Sequence, residues 1–220
     1  MKMTGAEALL HALQREQVDL IFGYPGGAIM PTYDALYAHP KLRHVLVRHE
    51  QGAVHAAEGY ARATGKVGVC LATSGPGATN LITGIADAFM DSVPLVCITG
   101  QVASGFLGTD AFQEADILSM SLPITKWNYQ VTKAEEIPQI IAEAFRIAQS
   151  DRPGPVLIDI TKDAQVSFME MTPKMVERTT RENPIADIDD VAISHAADLI
   201  NRAKRPFILF GHGILMAMTK

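Results

Sequence analysis

Glu50 is the residue best placed in this chain for proton chemistry. It stands in Arg48-His49-Glu50-Gln51-Gly52, where a short apolar run gives way to a helical pattern, so its carboxylate falls near a helix amino terminus. Two readings stand side by side: a charge that caps the helix or complements its dipole, and a carboxyl group in a half-buried crevice, available for general acid–base work. Three glycine-rich turns offer such a crevice. They are Gly23-Tyr24-Pro25-Gly26-Gly27, Thr73-Ser74-Gly75-Pro76-Gly77-Ala78-Thr79-Asn80 and Gly100-Gln101-Val102-Ala103-Ser104-Gly105. Each follows a run that reads as a strand, and open parallel sheets build their ligand clefts at the carboxyl ends of strands. The second turn leads into a helix and so presents backbone N–H groups to an anion. It lacks the Gly-Lys-Ser/Thr ending of a P-loop and the GxGxxG spacing. It reads equally as a plain strand-to-helix turn, or as one that positions an apolar ligand face and the amide of Asn80.

Other residues carry weaker signals. Gly108-Thr109-Asp110-Ala111-Phe112-Gln113-Glu114 sets an aromatic beside a neutral amide in a stretch without strand or helix period. Long irregular loops often carry function, with a solvated loop as the plain alternative. Lys126 is a surface charge or a site cation. Arg152, in the turn Asp151-Arg152-Pro153-Gly154-Pro155, is aimed outward to grip a phosphate or to be hydrated. His49 and His55 are six apart, whereas zinc helices place two histidines four apart, so no metal site is expected.

The elements that must hold these residues alternate. Strands are expected at 20–23, 45–47, 67–72, 95–99 and 156–160, and helices at 6–15, 28–38, 51–64, 78–90 and 135–149. The strands are apolar nearly throughout, which suits a mainly parallel, doubly wound α/β sheet with helices on both faces. This domain is expected to span 1–162. A polar stretch with Pro173 and Pro184 makes 163–190 a linker, and 191–220 begins a second unit with a helix at 191–203 and a strand at 206–210. One helix and one strand cannot close a core, so the sequence reads as breaking off just inside its second domain. With 220 residues, 48% hydrophobic and 20% charged, the chain can bury a core, which excludes a disordered binder. The net charge of −5, without a run of Lys or Arg, argues against nucleic acid and membrane surfaces as partners. Cys70 and Cys97 sit in apolar runs and read as reduced core thiols. No signal peptide pattern and no long uncharged apolar stretch is present, so a soluble, cytoplasmic protein is expected.

GYPGGAIMP, RHEQGAVHAAEGYARATGK, TSGPGATNLITGIADAFMDSVPLVCITGQV, GTDAFQE and RPGPVLIDI together resemble the amino-terminal region of acetolactate synthase large subunits, a thiamine-diphosphate enzyme family. The resemblance is dense from Thr4 to Ile160. It implies that Glu50 is the acid that hydrogen-bonds N1′ of the cofactor's aminopyrimidine ring and promotes removal of the C2 proton. It implies further that Tyr24, Gly26, Pro76 and Asn80 line the pyrimidine pocket, with Gln113 near the reacting centre. Gly27, Phe112 and Lys126 then belong to the substrate pocket, and Arg152 contacts FAD. In the family, Mg²⁺ and the diphosphate are held by a Gly-Asp-Gly…Asn segment of another domain, and no Gly-Asp-Gly occurs here. The chain is therefore expected to supply one wall of a site between two subunits of a homodimer, with a small regulatory subunit as a further partner and 2-keto acids as substrates. By itself it is expected to be inactive. The alternatives within reach are a pyruvate oxidase or other 2-keto acid decarboxylase, which GTDAFQE disfavours, and a non-catalytic dimerisation or regulatory-subunit-binding module.

Overall fold

Thr4 opens the first helix with a capping box: its hydroxyl accepts the Glu7 N–H at 3.2 Å, while the Glu7 carboxylate takes the Thr4 N–H at 2.7 Å. The computed structural model describes residues 1–172 and 189–214, divided into two compact units, Met1–Glu182 and Asn183–Lys220. The first unit alternates strand and helix: β1 (Lys2–Thr4), α1 (Gly5–Arg15), β2 (Leu20–Gly23), α2 (Met30–Leu36), β3 (Arg43–Leu46) and α3 (Glu50–Thr64). It continues through β4 (Gly68–Ala72), α4 (Pro76–Thr79), α5 (Ile82–Met90), β5 (Leu95–Gln101), α6 (Ile117–Ser121) and β6 (Trp127–Val131). It then adds α7 (Ile137–Gln149), β7 (Pro155–Thr161), α8 (Lys162–Val166) and β8 (Phe168–Glu170).

Six strands form one sheet in the order β3-β2-β4-β5-β7-β6, every pair parallel. Alternate residues of the central strands feed opposite faces. Val69, Leu71, Val96, Ile98, Val156 and Ile158 pack under Leu9, Leu10 and Leu13 of α1 and Ile141 and Phe145 of α7. Cys70, Ala72, Leu95, Cys97 and Leu157 pack under Ala53, Val54 and Ala57 of α3, Leu81 just before α5 and Ile85 within it. Coverage on both faces is why these strands read as continuous apolar runs. Cys70 and Cys97 are register partners, both buried and free; the neighbouring Cys70 thiol and burial push the Cys97 thiol well above the usual range. Among the described residues no helix is long and apolar enough to cross a membrane.

Several expectations need correction. The helix expected at 78–90 is two, α4 and α5, joined where the Leu81 N–H bonds the Ala78 carbonyl at 3.1 Å. The edge strand β6 was not expected, because Trp127-Asn128-Tyr129-Gln130-Val131 is polar at alternate positions and only Val131 is buried. Regular structure also continues past 162: α8 follows β7 directly, and β8 returns to pair antiparallel with β1. Segments of three to five residues are too short for periodicity to reveal. Of the expected linker, 173–188 lies outside the described residues. In the second unit the helix is α9 (Asp190–Arg202), capped by the Asp189 carboxylate on the Val191 and Ala192 N–H groups. The strand expected at 206–210 is absent. A strand is defined by its ladder, and among the described residues none pairs with this segment.

Candidate active site

The chain runs from β2 to β3 on one side and, after α3, returns to β4 on the other side of β2. The carboxyl ends of β2 and β4 thus flank a topological switch point, where parallel sheets open a crevice. The first two glycine turns meet there. Tyr24 N–H donates to the Leu71 carbonyl at 3.2 Å, and Ala28 N–H donates to Thr73 Oγ1 at 3.1 Å. A Cβ at Gly26 would lie 2.5 Å from Thr73 Cβ, so only glycine fits; at Gly27 nothing lies within 4 Å, leaving open space.

Glu50 enters from the third side. His49 is extended and takes the cap position, its Nδ1 accepting the Gln51 N–H at 3.1 Å. The capping role open to Glu50 is thereby filled by its neighbour. Glu50 is the first residue of α3 and only 9% exposed. Asn80 Nδ2 donates to its Oε2 at 2.9 Å. Oε1 faces Gly77, where an added Cβ would lie 3.2 Å away, and no donor to it is found among the described residues. Position 80 is reached through a sharp turn: Gly75 has φ +56 and ψ −120, a conformation rare for L side chains, and Pro76 starts α4.

The third wall comes from the loop after β5. A Cβ at Gly75 would lie 2.6 Å from the Gln113 carbonyl oxygen, and Gln113 itself has φ +58. Glu114 gathers this loop by accepting the Gly108 N–H and, at 3.0 Å, the Ala111 N–H. The Gly108 bond, followed by that from Ala111, holds its carboxyl below the usual range. Phe112 is 87% exposed beside it.

The structure therefore brings together Glu50, Asn80, Gly26 and the backbone of Gln113, with Gly27 beside Gly26 in the same turn. Tyr24 and Pro76 occupy the two turns and are exposed. Lys126 and Arg152 are placed elsewhere. Lys126 precedes β6 and bonds the carbonyl of Pro155, the first residue of β7, at 2.8 Å; Arg152 precedes β7. In an all-parallel sheet that is the end opposite the crevice. The Lys126 ammonium donates to the Ile147 and Ser150 carbonyls and, at 2.9 Å, to Ser150 Oγ. Arg152 donates to Ser92 Oγ at 2.7 Å and the Met90 carbonyl at 2.9 Å. Sequence reasoning passed over Thr73, whose hydroxyl ties the two turns, and over Tyr33, whose hydroxyl lies 3.1 Å from His44 Nε2. Burial, reinforced by Cys70 and Glu50, pushes the Tyr33 phenol upward. Between α3 and α5, His55, Glu58 and Asp87 bring ligand-type atoms within 4.8 Å of one another, but Arg62 already pairs with Glu58 at 2.7 Å.

Residues 3–120 match the family described as "Thiamine pyrophosphate enzyme, N-terminal TPP binding domain". The chain is 55% identical over 218 residues to the acetolactate synthase large subunit of Corynebacterium glutamicum, covering 98% of this chain and 34% of that protein. It is 54% identical over 217 residues to the acetolactate synthase isozyme 2 large subunit of Escherichia coli, covering 99% of this chain and 39% of that protein. It is 51% identical over 218 residues to a probable acetolactate synthase large subunit of Methanococcus aeolicus, covering 98% and 36%. The chain thus spans between a third and two fifths of the length of these relatives.

Proposed function

The chain belongs to the thiamine pyrophosphate enzymes, carrying their N-terminal TPP binding domain, and from that premise we propose that it forms the pyrimidine wall of an acetolactate synthase active site. Thiamine diphosphate, when bound, supplies the carbon centre at which pyruvate loses carbon dioxide and from which the two-carbon unit passes to a second 2-keto acid. One observation carries the proposal: a carboxyl group 9% exposed holds a neutral amide on Oε2 and offers Oε1 without a donor. That donor set fits a ring nitrogen that must share a proton. In this reading Glu50 holds the proton at Oε1, and its burial strengthens the exchange by excluding water. Asn80 fixes the carboxyl plane. Gly26 lets its turn close on Thr73 and Gly27 leaves room for a flat ring, Tyr24 and Pro76 edge the opening, and Gln113 with Phe112 faces the second keto acid. Lys126 and Arg152 lie at the other end of the sheet, where each donates to backbone carbonyls.

The fuller proposal is a cytoplasmic homodimer that also uses Mg²⁺ and FAD, held by the rest of the full-length protein, and that accepts a small regulatory subunit. The exposed Gly52 and Gly59 on α3, where an added Cβ would meet nothing within 4 Å outside the helix, leave a surface on which a second copy can approach closely. Glu50→Gln in the full-length protein tests the core of the reading. The amide keeps the volume but not the acid, so exchange of the cofactor's C2 proton, followed by NMR, is expected to fall by about a hundredfold with circular dichroism unchanged. Exchange within about threefold of wild type would remove Glu50 from the chemistry.

A further inference from the structure

Asp159, near the carboxyl end of β7, is fully buried. Its register partners are Thr99 on β5 and Gln130 on β6. The Thr99 hydroxyl donates to Oδ1 at 2.6 Å, and the amides of Gln101 and Gln130 donate to Oδ2 at 3.1 and 3.0 Å. All three donors are neutral. Burial pushes the carboxyl upward, against the pull of Thr99 and then of the two amides, and the Asp116 charge adds to the rise. A buried acid without a counter-ion costs stability, so its place in the sheet calls for a task.

Gln101 connects it to the crevice. Its Nε2 also donates to the Ala115 carbonyl at 3.1 Å, and its Oε1 accepts the Val102 N–H at 2.9 Å. Ala115 follows Glu114, which gathers the loop, and Gln113, whose backbone rests on Gly75. Asp159 thus orients Gln101, and Gln101 ties down both ends of the loop that carries Gln113.

We propose that Asp159 is a positioning residue: through Gln101 and Ala115 it fixes Gln113 against Gly75 and so sets where Gln113 meets the second 2-keto acid. The identity of that substrate rests on the acetolactate synthase reading above; the positioning does not. The test uses the full-length protein and Asp159→Ala, which removes every acceptor that Thr99, Gln101 and Gln130 share. Backbone amides of 108–115 are expected to exchange hydrogen about tenfold faster, with the central strands unchanged. C2-proton exchange of the cofactor stays within about threefold, while kcat/KM for the second keto acid falls about tenfold, the cost of one buried hydrogen bond. In a Gln113→Ala background the same substitution adds less than about twofold, because both act on one element. Gln101→Ala should reproduce these effects, and it carries the test if Asp159→Ala does not fold. Unchanged loop exchange, or full additivity with Gln113→Ala, overturns the proposal. A full-length wild type that makes no acetolactate sinks the functional reading instead, and loop exchange still decides the positioning.

Discussion

At Lys126 three acceptors converge on one ammonium: the Ile147 and Ser150 carbonyls and Ser150 Oγ. These close the carboxyl end of α7, whose last carbonyls have no partners within the helix. We expect Lys126→Met to lower unfolding free energy by about 1.5–3 kcal/mol, the worth of hydrogen bonds to a charged group, and to leave the KM for keto acids unchanged. Denaturant unfolding and steady-state kinetics of the full-length protein check the two halves. A raised KM with unchanged stability would return Lys126 to a substrate channel. The residue scale also separates what the sequence could reveal from what it could not. Glu50 was legible because its position at the strand-to-helix junction is local. Its freedom from capping was not, since that depends on the His49 imidazole turning back to Gln51. Asp159 was invisible as a hub because its partners come from two other strands, β5 and β6, and register is not written in any one of them.

At the scale of elements, α3 is pressed between the sheet and α5. Ala53, Ala57 and Ala61 form its buried stripe, and a Cβ at Gly68 would collide with the Ala57 carbonyl. On its other flank Gly84 of α5 admits the Val54 side chain, into which an added Cβ would drive. Gly84→Ala is therefore expected to destabilise the chain by about 1–3 kcal/mol through overpacking. Combined with Val54→Ala it should cost less than the sum of the two single changes, because the deleted methyls make the room. Thermal unfolding of the four proteins reads this directly, and strict additivity would show that α5 simply shifts. Small residues along α3 were plain in the sequence. Which of them face the sheet was not, because several helical faces of this segment are equally small. The strands β4, β5 and β7 were legible for the opposite reason: burial on both faces leaves no polar alternation to confuse. At the edge, β6 alternates and was missed.

At the scale of the molecule, the switch point between β2 and β4 makes one crevice from three turns that are far apart in sequence. Gly26 after β2, Glu50 at the start of α3 and Asn80 after β4 hang on separate elements, so their geometry exists only when the sheet is closed. The groups gathered there are a carboxyl, an amide, a hydroxyl and glycine backbone, which suit the aminopyrimidine end of thiamine diphosphate. Its diphosphate end carries charge that asks for cations or Mg²⁺, and the proposal gives that task to the remainder of a full-length protein of which this chain matches about a third. We therefore expect the 220-residue chain to bind thiamine diphosphate at least about a hundredfold more weakly than the full-length protein, equivalent to losing two charge-assisted contacts of roughly 1.5 kcal/mol each. Isothermal titration of both proteins with the cofactor in the presence of Mg²⁺ measures the gap. Incubated with pyruvate, thiamine diphosphate, Mg²⁺ and FAD, the chain should form no acetolactate above a protein-free control, read as acetoin after acidification. Orientation by the pyrimidine wall acts only on a cofactor that stays bound. Full affinity together with turnover by the chain would mean that the diphosphate is held within these 220 residues, and that the crevice is a whole site rather than one wall.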